Sequence, residues 1–140
     1  MIERGLRIGV LFAGCAAALG ACGGGSAQAS AAVPCRSTGR SVCITRGDDG
    51  RTVTVGVGWT VDLDLRAQGL RWSVPAEVGP HLLRQLGAVG RAGGGVQIDY
   101  TAVAAGHTTL RATERPVCQT GRACPQFIVL WQVRIHVDGR

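Results

Sequence analysis

The sequence predicts an all-β sandwich, on three observations. Apolar and polar residues alternate with period two in about seven separate stretches, turn signals rich in Gly and Asp divide them, and no segment sustains a long helical period. About seven short antiparallel strands in the roughly 105 residues from 35 to 140 is the pattern of an immunoglobulin-like sandwich.

The elements follow in chain order. A short strand is expected over 41–45, then a Gly-Asp-Asp-Gly turn at 47–50 that joins it to the next strand. Residues 51–57 (Arg-Thr-Val-Thr-Val-Gly-Val) put Val53, Val55 and Val57 on one face and Thr52 and Thr54 on the other. Trp59, Val61, Leu63 and Leu65 then alternate with Thr60, Asp62 and Asp64, which places the two aspartates in water. Leu70, Trp72 and Val74 make a further strand, read as central, with Trp72 filling the space between the sheets. Residues 76–86 lack the alternation, and Gly79-Pro80 argues against a long helix, so a helical turn or irregular crossover is expected there. Period two returns at Val96, Ile98 and Tyr100, at Leu110 and Ala112, and from Val129 through Trp131, Val133 and Ile135 to Val137.

With 140 residues the chain is too short for several domains. Its net charge of +6 raises the question of nucleic acid, but the 15 basic residues, all Arg, are scattered, and three Trp, one Tyr and two Phe give little stacking surface. No nucleic-acid partner is expected.

Residues 1–21 have the layout of a secretory signal: Arg4 and Arg7 in a short head, then an apolar run over 8–19 too short to span a bilayer. The run ends in Leu19-Gly20-Ala21-Cys22, which resembles a bacterial lipobox, with small side chains beside the cut and a thiol to carry the lipid. Cys22 is the expected lipid attachment site and new N-terminus, so the membrane is an expected partner and the location extracytoplasmic. Phe12-Ala13-Gly14-Cys15 competes less well because of its Phe. Residues 22–34, rich in Gly, Ser and Ala, read as the lipidated cysteine and a flexible tether, leaving 35–140 as the folded domain.

Outside the membrane, thiols pair. Cys35, Cys43, Cys118 and Cys124 allow three pairings; two local loops, Cys35–Cys43 and Cys118–Cys124, are the simplest, each contributing roughly 2–3 kcal/mol. A crossed bridge such as Cys43–Cys118 would close a longer loop and contribute more. Neither spacing fits a zinc knuckle, and no metal or cofactor is expected.

From Val53 to Val137 the chain resembles the chagasin family, inhibitors of papain-like cysteine peptidases with an immunoglobulin-like fold. Val57-Gly58-Trp59 leading into Leu63-Asp64-Leu65 matches its opening strands. Gln68-Gly69-Leu70 before Arg71-Trp72 stands at the first inhibitory loop, keeping the Gly and the Trp but not the Asn-Pro-Thr portion. Gly93-Gly94-Gly95 matches the second, Gly-rich loop, and Arg115-Pro116-Val117 the third, where the family has Arg-Pro-Trp. The resemblance implies a wedge of three loops at one end of the sandwich that enters a peptidase cleft.

Other motifs have plain structural explanations. Arg46-Gly47-Asp48 spells an adhesion tripeptide, but its Gly and Asp suit a turn. The glycines at 93–95 lack the Lys-Ser/Thr of a phosphate loop. His81, His107 and His136 fall on a crossover, a turn and a strand face with no nucleophile nearby, so no enzyme is expected. The sequence thus points to a protein-binding module, with a papain-like cysteine peptidase as the concrete partner and another envelope protein as the alternative.

Overall fold

The computed structural model describes residues 35–140. The signal segment, Cys22 and the tether lie outside the described residues. Alternation becomes nine strands: β1 (Ser41–Thr45), β2 (Thr52–Gly56), β3 (Thr60–Leu65), β4 (Leu70–Trp72), β5 (Ala76–Val78), β6 (Leu83–Gly90), β7 (Val96–Ala102), β8 (Gly106–Pro116) and β9 (Val129–Asp138). They form a four-stranded sheet in the order β1-β3-β7-β6 and a five-stranded sheet in the order β2-β9-β8-β4, with β5 also pairing β8. This is the immunoglobulin-like sandwich, with two additions to the expected strand count and two parallel pairings, β1 with β3 and β2 with β9.

The parallel pairs follow from how the chain leaves β1. No hairpin forms at residues 47–50: a 3₁₀ turn, Arg46–Asp48, carries the chain from one sheet to the other. Asp48 organises it, its Oδ2 accepting from the Thr45 amide at 2.8 Å and hydroxyl at 3.1 Å. Behind it, Gly50 N–H donates to the Gln132 carbonyl and Gln132 N–H to Asp49 Oδ1, stitching the turn to β9.

Each sheet turns one apolar face inward. Ile44, Val61, Leu63, Leu65, Val96, Ile98 and Tyr100 come from the first; Val55, Leu110, Ala112, Trp131, Val133, Ile135 and Val137 from the second. The tryptophan on an interior strand is Trp131, on β9, while Trp72 sits on edge strand β4. Both are buried, their rings edge to face with centroids 6.4 Å apart. Trp72 is closed off from water by Arg46, whose guanidinium lies 5.9 Å from the ring centroid.

Val57 and Val74 are exposed despite their place in the alternation, because both fall past the ends of their strands. The expected crossover at 76–86 is instead β5 and the first half of β6. Glu77 accounts for the link between them: its Oε1 accepts from the amides of Leu82 and Leu83. β6 hid from the alternation because it is an edge strand with a bulge between Gln85 and Gly87, and beyond Leu83 both of its faces meet solvent.

Two disulfides are present, Cys35–Cys43 and Cys118–Cys124, with Cα separations of 5.5 and 5.3 Å. They are the two local loops. The first ties the entry of the domain to β1, and the second closes a ring in the β8–β9 connection.

Candidate functional site

The three segments singled out in the sequence meet at one end of the sandwich. Gln68 and Gly69 are exposed on the β3–β4 link, where Gly69 adopts φ +73°, a conformation that suits glycine. Leu70 opens β4 and pairs with Pro116 at the end of β8, and Arg71 pairs with Arg115. Arg115 and Pro116 therefore belong to a strand, not to a free loop. The third loop proper begins at Val117, which is exposed.

The Gly-rich segment lies flat against the first. It forms a short 3₁₀ turn, Ala92–Gly94, between β6 and β7. A Cβ on Gly94 would stand 2.7 Å from the Leu70 carbonyl oxygen, and one on Gly95 2.8 Å from that of Leu65. Only glycine allows backbone to approach backbone this closely, and φ at Gly94 is +92° as well.

A buried carboxylate fixes the spacing of these two segments. Asp64, expected in water, is 3% exposed. Its Oδ1 lies 2.9 Å from Arg91 Nε and its Oδ2 3.2 Å from Arg66 Nε. Arg91 leads into the Gly-rich turn and also donates to Gln97 Oε1 at 2.7 Å; Arg66 opens the β3–β4 link. One side chain thus holds the roots of both loops, and the inward turn at Asp64 is what breaks the alternation of β3. A strand's period cannot reveal this, since the partners lie on other segments.

Sequence reasoning also missed an apolar ridge beside the third loop. Phe127, Ile128, Val129 and Leu130 are all exposed on the limb that descends from the Cys118–Cys124 ring into β9, as is Val117 on the other limb. Phe127 and Ile128 share a shallow depression with Arg115, Pro116 and Cys124. The available signal was the run of five consecutive apolar residues at 127–131, which no half-buried strand can place inward together and of which Trp131 turns in. Around this end Arg66, Arg71, Arg115 and Arg122 are exposed, giving a basic rim to an apolar tip.

The remaining candidates resolve as structure. Arg46 of the adhesion-like tripeptide is committed inward, its Nη2 2.8 Å from Oε2 of Glu114, which is fully buried on β8. His81 is exposed between β5 and β6, whereas His107 lies on β8, not in a turn, and pairs with His136 of β9. No group of three or more His, Cys, Asp or Glu side chains capable of holding a metal ion occurs among the described residues.

No protein-family model matches the chain, and no curated protein matches it. Among solved structures it resembles the cysteine protease inhibitor EhICP2 from Entamoeba histolytica, with a TM-score of 0.52 and 12% identity over 70% of this chain and 95% of that one. Amebosin is similar at a TM-score of 0.47 and 16% identity over 69% and 96%. At this identity the first likeness establishes the fold: a chagasin-like sandwich.

Proposed function

We propose that this protein binds a papain-like cysteine peptidase through the loop end of its sandwich and blocks the active-site cleft without a covalent step. The observation that carries this is the fixed convergence of three loops at one end, two of them rooted on Asp64 and the third stiffened by a disulfide. Loops that are already ordered lose little entropy on docking. The shared fold with EhICP2, a cysteine protease inhibitor, supports the same choice of partner.

In this arrangement Gly69 and Leu70 approach the catalytic cysteine of the peptidase, and the Gly94 turn and the Arg115-Pro116 edge brace on either side. Val117 is too small to act as the aromatic anchor that dominates many interfaces. Phe127, exposed in the depression beside Arg115 and Pro116, takes that part. The basic rim favours a cleft bordered by acidic residues.

The same proposal places the domain outside the cell, tethered by residues 22–34 to a lipid on Cys22; the lipobox-like Leu19-Gly20-Ala21-Cys22 supports it. Intact mass of the chain from the membrane fraction tests that half: an unlipidated mature chain removes it.

Titration of the purified chain against a panel of papain-like peptidases tests the other. Competitive inhibition in the sub-micromolar range is expected, abolished by Gly69→Glu, which drives a charge into the centre of the wedge. Absence of inhibition at high micromolar protein would overturn it and leave a binding or scaffolding module of the envelope.

A further inference from the structure

The pairing of β8 with β9 creates a two-histidine arrangement far from the loop end. His107 and His136 are register partners on these adjacent strands, and β9 is itself flanked on its other side by β2, which sets Thr54 opposite His136. Their rings stack with centroids 4.3 Å apart and planes inclined by 26°, and their Nδ1 atoms stand 3.2 Å apart. The nitrogens are closer than the ring centres, so the rings lean together at their Nδ1 edges.

With one ring donating and the other accepting, that contact is an N–H···N hydrogen bond. The same separation also fits joint ligation, once the rings turn about their Cβ–Cγ bonds so that their in-plane lone pairs meet at one ion. Two imidazole nitrogens at 2.0–2.1 Å from one metal ion are about 2.9 Å apart at a right angle and about 3.3 Å apart at the tetrahedral angle. The observed separation falls between these values.

We propose that His107 and His136 form a surface site for a late first-row divalent cation of the Ni²⁺, Cu²⁺ and Zn²⁺ class, the ions that imidazole suits. The backbone is pre-organised, because His136 is paired on both sides, with His107 of β8 and Thr54 of β2, and β5 joins β8 from Thr109, two residues beyond His107. Among the described residues no third protein ligand joins them, so water fills the other positions. Arg134 and Asp138, two residues either side of His136 on the same face of β9, carry opposite charges and largely offset one another. His107 and Pro116 lie nine positions apart on β8, about 30 Å of strand, so the site is independent of the peptidase-binding end.

The test is calorimetric titration of the full chain with Ni²⁺ and, separately, Ca²⁺. One saturable Ni²⁺ site is expected, with no Ca²⁺ binding, since calcium takes oxygen ligands. Losing a ligand costs at least as much as losing an outer-shell partner, so His107→Ala and His136→Ala should each weaken that site by about 10- to 100-fold or more. His81→Ala should leave it unchanged. Paramagnetic broadening by Ni²⁺ should centre on the amides of His107 and His136, which locates the site apart from any thiol in the chain. Should either alanine variant fold poorly, His107→Asn and His136→Asn replace it with a polar side chain of similar size. Absence of saturable binding at millimolar Ni²⁺, or binding that both histidine variants retain, would overturn the proposal.

Discussion

Each sheet of the sandwich buries one carboxylate beside arginine, and the two do different work. In the five-stranded sheet Glu114 faces Arg46, which also covers Trp72 and whose carbonyl accepts from Trp131 Nε1 at 3.3 Å. That assembly joins the 3₁₀ crossover to β4, β8 and β9, so it holds the fold. In the four-stranded sheet Asp64 faces Arg91 and Arg66, which are the roots of two loops, so it holds the loop end. Identical chemistry serves stability in one place and loop position in the other, because what matters is which segments the arginines come from.

Breaking the first assembly should give the largest effect. Trp72→Ala removes a buried ring at the meeting of the two tryptophans and should cost about 3–5 kcal/mol, a large part of a domain's stability. Arg46→Ala, which leaves Glu114 buried and unpaired, should cost about 3 kcal/mol; its side chain is half exposed, so the loss falls at the low end for a buried pair. Calorimetric melting checks both. An unchanged melting temperature in either variant would mean that the crossover is not held as described.

The four-stranded sheet should reveal itself in alkali. Tyr100, the only tyrosine of the chain, is pushed up to about 12 by burial and secondarily by the Glu77 carboxylate. Well below pH 10 neither the folded nor the unfolded chain ionises this phenol. Between pH 10 and about 12 the unfolded chain loses the proton first, so stability falls as pH rises, by about 2 kcal/mol in all. Denaturant midpoints across this range, with phenolate absorbance read alongside, provide the measurement. A flat profile would place Tyr100 in water.

Breaking the second assembly should separate binding from folding. Arg91→Ala leaves Asp64 with Arg66 and should cost only about 1–2 kcal/mol of stability, yet weaken peptidase inhibition about tenfold or more by freeing the Gly-rich turn. Arg46→Ala, at a temperature where it remains folded, should leave inhibition unchanged. The comparison fails if the two variants lose inhibition in parallel with stability.

The smallest effect concerns a pair of aspartates in the four-stranded sheet. Asp62 and Asp99 are cross-strand partners, and Asp99 is held above the usual carboxylate range by burial, by a hydrogen bond to Asp62 and by its charge. A raised carboxyl contributes stability at low pH and loses it as pH rises through the folded value. Asp99→Asn should therefore stabilise the domain near neutrality, by about 0.5–1 kcal/mol, and not in acid. Asp62 keeps its bond from Ser41 Oγ at 2.8 Å in that variant.

The three loops were legible through the family resemblance, carried by Gly69, the glycines at 93–95 and Arg115-Pro116, although Arg115 and Pro116 end a strand. The ridge at 127–130 was not read, since it belongs to five successive apolar residues, which suit a buried strand as well as an exposed one. Asp64 was misplaced for the opposite reason: its alternation is regular, and only arginines 2 and 27 positions further along the chain turn it inward.

By itself the sequence determined the sandwich and the inward faces of its long strands, and it marked the two short disulfide loops as the simplest of three pairings. Each of these is set by neighbours close in the chain, through the pleat of a strand or the length of a ring. Tertiary structure alone decided that β1 and β2 pair in parallel in different sheets, that β6 lies at an edge, that Asp64 and Glu114 are buried against arginine, and that His107 meets His136. Those outcomes depend on which strands come to lie side by side, and a periodicity of two specifies a face without naming the strand that will lie beside it.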